Sequence, residues 1–342
     1  MQLTLTDSRT LRNALKAPSL VFAGPAATRA VTLSADDAGV LTVTAHGDNT
    51  TVSVTIPTAS CTERGDFTTN ATDLKKALAI ASGACTITAK ADGLQLDWGS
   101  ISTGIVALDY ASSLDPVPLA AEFEAVDLVA DHLRSALRQV LPAVMTDETR
   151  PILACAIFEG TEDGYRVVGT DSYRLAMRDV PGGGAIPAGM TFLAPRLALL
   201  ALVELIGPKP CAGVTLRRSG RQLSFTAPGW RIETVGADGD FPNYRQLIPT
   251  ALPIVFATDP TEPGRLASQV RTLAKALGSK SKAHVACTFG PTGVHLQVSG
   301  EVESQTAAGG ALVSGDLAEI AFRPAYLADG LEALEGICTK IA

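Results

Sequence analysis

The side chains that could carry out chemistry are few and are dispersed along the chain. Asp171 is the best single candidate for a catalytic carboxylate, but its neighbours Thr170 and Ser172 favour a role in which its side chain holds a turn. The four histidines are isolated from one another: His46, His132, His284 and His295. The G-x-S-x-G, H-E-x-x-H and P-loop motifs do not occur in the sequence. The sequence therefore predicts no catalytic residue, no metal site and no cofactor.

The glycine and cysteine patterns lead to the same conclusion. Gly182–Gly184 follows a predicted strand but leads to Ile186 and Pro187 rather than into a helix, so a phosphate cradle is not expected. The six cysteines form no C-x-x-C pair: Cys61, Cys85, Cys155, Cys211, Cys287 and Cys338. Dispersed single cysteines are typical of small core residues in a reduced, cytoplasmic protein.

Length and composition predict a globular chain of several domains. Single cores stop growing at roughly 250–300 residues, so 342 residues predict two or three domains. Hydrophobic residues make up 46% and charged residues 18%, which is ample for packed cores. No apolar run is long enough to span a bilayer, and the N-terminus lacks the pattern of a signal peptide, so no membrane partner is expected. The net charge of −7 argues against nucleic-acid binding unless positive charge gathers on one surface.

Six segments with apolar residues at helical spacing recur along the chain. They begin near Ser8, Thr72, Asp131, Ala194, Pro263 and Arg323. Short alternating runs between them, such as Val40–Thr44 and Leu223–Thr226, predict strands separated by turns. This repetition predicts a unit of one helix with several strands. Two units per domain give three domains, at 1–118, 119–250 and 251–342, joined by proline-rich segments near 114–118 and 248–253.

Two runs in the middle of the chain are more distinctive than the rest. The first begins as TRPIL at Thr149–Leu153 and continues into TDSYRLA at Thr170–Ala176. The second is GDFPNYRQLIP at Gly239–Pro249.

The first run predicts three strands. Ala154–Phe158 and Arg166–Thr170 are expected to pair through a turn at Glu162–Gly164. Asp171 and Ser172 then bend the chain, and the alternation over Tyr173–Arg178 predicts the third strand.

Together the two runs resemble the bacterial sliding clamp family, the beta subunit of DNA polymerase III. The resemblance implies an α+β fold of three repeated clamp domains, each with two helices packed on antiparallel sheets. In this family two copies of the chain close a head-to-tail ring, with sheets outside and helices lining the hole. The implied function is that of a non-catalytic processivity factor. It would encircle double-stranded DNA and bind the replicative polymerase and the clamp loader through linear peptide motifs.

By the same resemblance, the two runs supply much of a pocket that receives those peptides. The matched positions are Leu153, Thr170, Ser172, Tyr173, Arg174, Leu175, Pro242, Gln246 and Leu247. The leucines and proline would form an apolar floor, and Arg174 would fix the peptide's orientation at the rim. The family often has Arg where this chain has Gln246, so one positive charge is missing from the rim. The alternative is that these residues only seal a joint between domains.

Positive charge gathers on five of the six predicted helices. The sixth, with Asp329, Glu332 and Glu335, breaks the pattern. A basic inner wall would contact duplex phosphates without specifying bases, whereas the alternative is an ordinary solvated helix face. The residues expected to face DNA are Arg12, Lys16, Arg29, Lys75, Lys76, Arg134, Arg138, Arg150, Arg196 and Arg271.

The resemblance also implies where the ring closes. In the family a basic strand of domain 1 meets an acidic strand of domain 3 in the other copy. The corresponding strand here, Ser102–Leu108, has no Lys or Arg, so we expect closure through apolar contacts and a weaker joint. The residues expected at this dimer interface are Ile105, Leu108, Leu273, Leu277, Glu301 and Glu303.

Two features keep alternatives open. The sequence ends at Ala342, where the family continues through further strands and a tail that forms one wall of the pocket, so an incomplete third domain is expected. This end and the uncharged joint strand support a clamp-like protein that does not encircle DNA. Such a decoy or resistance-type second clamp would bind clamp-partner peptides or inhibitors. A nuclease or polymerase active in its own right is a further alternative, but the sequence has no clustered carboxylates for a metal pair.

Overall fold

The computed structural model describes most of the chain, in two compact units. The described residues are 1–22, 29–90, 92–108, 124–208, 213–251, 255–257, 259, 261–276, 284–290, 293–298, 304–308, 311–314, 318–334 and 340–341. The first unit comprises Met1–Leu137, Ala143–Ser172 and Met177–Phe241. The second comprises Arg138–Pro142, Tyr173–Ala176 and Pro242–Ala342.

Six α-helices form among the described residues, at the six predicted places. They are α1 Ser8–Ala14, α2 Ala71–Ile80, α3 Ala130–Val140, α4 Arg196–Ile206, α5 Glu262–Ala276 and α6 Pro324–Leu334. Side-chain caps explain where two of them begin: Asp7 accepts from the amide of Arg9 at α1, and Asn70 accepts from the amide of Thr72 at α2. Helix α4 ends at Gly207, whose φ of 63° favours glycine.

The strands are short and antiparallel. In chain order they are β1 Gln2–Leu5, β2 Ala30–Ala35, β3 Val40–His46, β4 Thr50–Pro57, β5 Ser60–Glu63, β6 Gly65–Asn70, β7 Cys85–Lys90, β8 Gly93–Trp98, β9 Ile101–Val106, β10 Glu124–Leu128, β11 Cys155–Thr161, β12 Gly164–Thr170, β13 Leu175–Pro181, β14 Thr191–Pro195, β15 Val214–Ser219, β16 Gln222–Ala227, β17 Trp230–Val235, β18 Val255–Ala257, β19 Val285–Gly290, β20 Gly293–Val298, β21 Ser304–Ala308, β22 Ala311–Ser314, β23 Ala318–Phe322 and β24 Lys340–Ile341.

The strands of the first unit form three sheets. A five-stranded sheet has the order β5-β1-β7-β8-β9, and a four-stranded sheet has the order β13-β12-β11-β14. The third sheet has eight strands, in the order β10-β15-β16-β17-β4-β3-β2-β6. Strands β3 and β8 alternate between buried and half-buried residues. This period of two shows that one face of each sheet packs on a core.

The eight-stranded sheet crosses the predicted boundary between the first two domains. Strand β4 pairs with β17, and Val52 lies opposite Ile232 in this register. Strands from 30–70 and from 124–235 therefore share one continuous sheet. The linking segment 109–123 lies outside the described residues. The boundaries at 118 and 250 remain predictions.

The second unit has a smaller core between a helix pair and its four-stranded sheet. Its sheets have the orders β22-β18-β24 and β21-β20-β19-β23. Helices α5 and α6 pack against each other. One buried cluster joins the helices to the four-stranded sheet. Its members include Leu266 and Val270 of α5, Leu331 of α6, Val285 of β19 and Leu296 of β20. Burial of these apolar side chains is the main favourable contribution to this core.

A buried hydroxyl pair lies where β4 meets β17. The Oγ1 atoms of Thr50 and Thr234 are 2.8 Å apart, and the Thr234 hydroxyl also donates to the carbonyl of Asn49 at 3.0 Å. Both threonines are essentially inaccessible to water. Because a buried hydroxyl without a partner is costly, this pair favours the observed register of the two strands.

We expect Thr234→Val to lower the free energy of unfolding by about 1 kcal/mol, because it removes the contacts of the buried Thr234 hydroxyl with Thr50 and with the carbonyl of Asn49. Valine keeps the β-branched shape, so packing changes little. Urea denaturation of Thr50→Val, Thr234→Val and the double variant gives the coupling energy between the two side chains. The double variant should lose less stability than the sum of the single variants, and strict additivity would contradict the pairing.

Candidate functional site

The chain bends sharply between β12 and β13. The predicted hairpin of β11 and β12 is confirmed, with its turn at Glu162–Asp163. Ser172 has a φ of 74°, in the left-handed region that residues with a side chain rarely adopt, and its amide donates to Thr170 Oγ1 at 3.2 Å. This conformation interrupts the extended backbone, so β13 begins at Leu175 rather than at the predicted Tyr173. The bend leaves the Tyr173 side chain 78% exposed.

Arg174 is held on three sides within the second unit. Its Nη1 donates to Asp329 Oδ2 at 2.7 Å, and its Nη2 donates to the carbonyl of Pro142. The guanidinium carbon lies 4.3 Å from the centre of the Tyr326 ring. A cation at this distance from an aromatic face is attracted by the ring, so both the charge and the plane of Arg174 are fixed.

The other carboxylate oxygen of Asp329 is also occupied. Arg271 Nη2 donates to Asp329 Oδ1 at 2.8 Å and lies 2.7 Å from Glu332 Oε2. Two carboxylates on α6 therefore compensate the charge of Arg271. The guanidinium of Arg271 joins α5 to α6, and its predicted role of facing DNA remains a prediction.

Two further cation–aromatic contacts lie next to that of Arg174, and both are made by Arg323. The guanidinium carbon of Arg323 lies 5.7 Å from the Tyr173 ring centre and 5.5 Å from the Tyr326 ring centre. The sequence contained a signal for this cluster, because Tyr326 and Asp329 are three residues apart and lie on one face of α6.

The second run of the predicted pocket forms a short turn. Residues Tyr244–Leu247 make one turn of 3-10 helix, and Tyr244 is only 2% exposed. Burial of Tyr244 anchors the turn, and Leu247 is left 67% exposed. Pro242 and Gln246 are exposed as well. An exposed leucine on an anchored turn suits the recognition of an apolar side chain.

Three predicted pocket residues belong to the first unit. Leu153 is half-buried, and its amide donates to the carbonyl of Arg150 at 3.0 Å. Thr170 is almost buried at the end of β12, whereas Ser172 is exposed. Leu175, in the second unit, is half-buried.

Some of the predicted DNA-facing residues carry accessible positive charge. Arg138 and Arg150 are exposed, and Arg134 is half-buried one turn before Arg138 on α3. The carbonyl of Arg29 accepts from the first amide of α2, and Lys75 lies one turn into that helix. Partial burial lowers the pKa of Lys75, and the nearby charge of Arg29 lowers it further. Repulsion between these two cations would be relieved by a bound anion.

Other basic residues have acidic neighbours or line a cavity. Lys76 Nζ lies 3.2 Å from Asp73 Oδ1, and Lys16 Nζ lies 3.9 Å from Glu204 Oε1. Arg196 lines a cavity of about 380 Å³ in the first unit. Asp48, Glu148 and Arg221 line the same cavity.

Arg12 has a structural role that its sequence context did not reveal. Its Nη2 donates to the carbonyl of Ala81 at 2.8 Å and also to the carbonyl of Leu78. These carbonyls lie at the C-terminal end of α2, where a cation is favourable and the last carbonyls need donors. Arg12 therefore ties α1 to α2, and its predicted role of facing DNA remains a prediction.

Strand β9 forms one edge of the five-stranded sheet and presents an apolar surface. Ile105, predicted at the dimer interface, is only 8% exposed and packs inside the chain, whereas Val106 is 79% and Ile101 52% exposed. Ile80 of α2, the helix that packs beside β9, is 66% exposed. Leu108 is half-buried, and Leu273 packs against the core of the second unit. The predicted interface residues Leu277, Glu301 and Glu303 lie outside the described residues.

The structure offers little to nucleophilic or metal chemistry in the part of the chain that it describes. Burial raises the pKa of Cys85 to about 11 and that of Cys287 to about 12, so these thiols are poor nucleophiles. Among the described residues no three histidine, cysteine or acidic side chains gather as they would around a metal ion. No described helix combines the length and apolar character needed to cross a membrane.

Comparison with known proteins identifies the class. The family described as "DNA polymerase III beta subunit, central domain" matches residues 127–243. The beta sliding clamp of Synechococcus elongatus is 29% identical over 231 residues, which cover 66% of this chain and 60% of that protein. The beta sliding clamp homolog GriR of Streptomyces muensis is 24% identical over 246 residues, which cover 71% of this chain and 63% of that protein. The chain spans less than two thirds of the length of these curated relatives.

The fold is that of a clamp. The crystal structure of the DNA polymerase III beta subunit from Thermotoga maritima superposes with a TM-score of 0.78 at 18% identity, covering 99% of this chain and 91% of that one. This likeness confirms the predicted α+β clamp fold of helices on antiparallel sheets. Residues 127–243 therefore match the beta subunit family in sequence, and nearly the whole chain shares the clamp fold.

We expect Arg12→Ala to lower the free energy of unfolding by about 2 kcal/mol, because two carbonyls at the end of α2 lose a charged donor. Arg138→Ala is the matched control, since it removes an exposed arginine from α3, which is another of the basic helices. Urea denaturation of the three proteins measures the effect. Equal midpoints for Arg12→Ala and the parent chain would contradict the structural role of Arg12.

Proposed function

We propose that this chain is a DNA polymerase processivity factor that acts as a sliding clamp in the cytoplasm. Two copies close a head-to-tail ring around double-stranded DNA, and the ring tethers the replicative polymerase and the clamp loader. The observation that carries the proposal is the match of residues 127–243 to the DNA polymerase III beta subunit family, together with a clamp fold over nearly the whole chain. The clamp itself is non-catalytic, and polymerase activity belongs to the holoenzyme.

Contact with DNA is electrostatic and independent of sequence. Arg29 and Lys75 form one basic pair, and Arg134 and Arg138 form another along α3. Arg150 adds an exposed charge. Lysine and arginine bind phosphates by releasing counterions, so each contact is weak and exchangeable, which a sliding ring requires. Three arginines are left out of this surface. Arg12 and Arg271 bind other groups of the protein, and Arg196 lines a cavity.

Peptide partners dock on the second unit's part of the predicted pocket. The exposed Leu247 and Tyr173 offer apolar surface, and Pro242 adds to it. Arg174, which follows Tyr173 in the chain and is fixed by Asp329, offers a charged group. Apolar surface with a few oriented polar groups suits a short peptide with leucine and aromatic side chains. The contributions of Leu153, Thr170 and Ser172 remain predictions.

Ring closure uses the edge formed by β9. An edge strand presents unpaired backbone donors and acceptors that can pair with another chain. The exposed Val106 and Ile101, with Ile80 beside them, provide the apolar contacts that replace Ile105 in the predicted interface. Leu108, Leu273 and Leu277 remain candidates for apolar contacts, as do Glu301 and Glu303 for the acidic side of the joint.

A second function is supported by one relative. The likeness to the beta sliding clamp homolog GriR and the absence of Lys and Arg from β9 favour a clamp-like interaction protein that binds partner peptides or inhibitors without encircling DNA. Such a protein would bind peptides as a monomer and would not be retained on DNA. Solution mass separates the two functions.

Light scattering after size exclusion, at micromolar concentration, should give twice the mass of one chain. Val106→Asp should produce a monomer, because it buries a charge in an apolar joint. Met177→Asp is the control, since Met177 is an exposed apolar residue on the edge strand of another sheet. A monomeric parent chain would contradict the ring and favour the second function.

Charge reversal tests the DNA surface. Lys75→Glu with Arg138→Glu should shorten retention on nicked circular DNA after loading by a clamp loader, and the loss should grow as salt is raised. Arg64→Glu with Lys90→Glu makes the same charge change at exposed residues outside the helices. Equal retention of the two double variants would refute the assignment of the helices to DNA.

A further inference from the structure

We propose that Asp329 is the positioning residue for Arg174 in the peptide site. Asp329 lies on α6, the one predicted helix in which acidic residues outnumber basic ones. This inference rests on the proposed function, because it explains how the charged group of the peptide site is held in place.

The carboxylate of Asp329 is shared evenly between two arginines. One oxygen accepts from Arg174 at 2.7 Å and the other accepts from Arg271 at 2.8 Å. The side chain of Asp329 is 26% exposed and that of Arg174 is 23% exposed, so water only partly screens the pair. Charge-assisted hydrogen bonds in such surroundings are stronger than neutral ones and fix direction as well as distance.

Arg271 limits the freedom of this carboxylate. Because Arg271 holds the second oxygen and is itself bound by Glu332, rotation of the Asp329 carboxylate would break a contact in either direction. Asp329 and Glu332 are three residues apart on α6 and point to the same helix face. The acidic residues of α6 thus hold arginines from two other parts of the second unit.

Tyr326 completes the support. It stands one turn before Asp329 on α6, and its ring faces the guanidinium of Arg174. The carbonyl of Pro142 takes the remaining terminal nitrogen. Acid, ring and carbonyl together define the position of Arg174 before any peptide arrives. A group that is ordered in advance loses less conformational entropy when a ligand binds, so peptide affinity depends on these contacts.

Two isosteric variants separate positioning from general stability. Asp329→Asn removes the charge that holds Arg174, whereas Glu332→Gln removes a more exposed charge whose ion pair among the described residues is with Arg271. We expect Asp329→Asn to weaken binding about tenfold, as loss of one charge-assisted hydrogen bond can do. Binding is followed by fluorescence anisotropy with a labelled pentapeptide that carries adjacent leucine and phenylalanine side chains. Glu332→Gln should bind within about twofold of the parent chain.

A double-mutant cycle shows whether Asp329 acts through Arg174. In an Arg174→Ala background, Asp329→Asn should cause no further loss of peptide affinity, because the group that it positions is gone. Nitrogen-15 NMR of arginine side chains adds a readout that needs no peptide. Restricted rotation of the Arg174 guanidinium should be lost in Asp329→Asn and kept in Glu332→Gln.

The outcomes are distinguishable. Failure of the parent chain to bind the peptide refutes the proposed function, whereas an unchanged Arg174 signal in Asp329→Asn overturns the positioning role whether or not peptide binds. Additive losses in the double-mutant cycle also overturn it.

If Asp329→Asn does not fold, Asp329→Glu replaces it, because this variant keeps the charge but moves the carboxylate by one methylene. Parent-like affinity and an unchanged Arg174 signal in that variant would count against the proposal.

Discussion

The pairing of β4 with β17 is the interaction on which the first unit depends. It joins strands that lie far apart in the sequence into one eight-stranded sheet, with Val52 opposite Ile232 and a buried hydroxyl pair at Thr50 and Thr234. A one-residue slip would turn Val52, Val54 and Ile56 away from the core, so these apolar residues and the hydroxyl pair favour the same register. The proposed ring would depend on this pairing, because its individual contacts with phosphates would be weak.

The distribution of charge shows why net charge and motif counts are poor guides to a clamp. The chain is acidic overall, yet several helices are basic. Some of those basic residues serve the protein itself: Arg12 binds the end of α2, and Arg271 binds the carboxylates of α6. We propose that residues such as Lys75 and Arg138 contact DNA instead. Their charges make no comparable structural contact among the described residues.

Local patterns predicted the elements well, whereas long-range partners were out of reach. Apolar spacing and start signals located all six helices, and the turn after Thr161 located the hairpin of β11 and β12. The start of β13 was misplaced, because nothing in the residue types of Ser172 announces a left-handed backbone. Which face of β9 is covered depends on α2 and the rest of the sheet, so Ile105 and Val106 could not be told apart by alternation alone. The site residues named from the family resemblance remain predictions, and the partners of Arg174 became visible only in the fold.

The most direct test of the account is retention on DNA of defined topology. The chain is loaded onto nicked circular DNA by a clamp loader, and gel filtration removes the free protein. The circle is then cut at one site, and a second gel filtration measures how much protein stays bound to the DNA. A sliding ring should stay on the closed circle and leave rapidly once the DNA is linear, because its hold is topological. Equal retention on circular and linear DNA, or none on either, would contradict the central claim that this protein encircles the duplex.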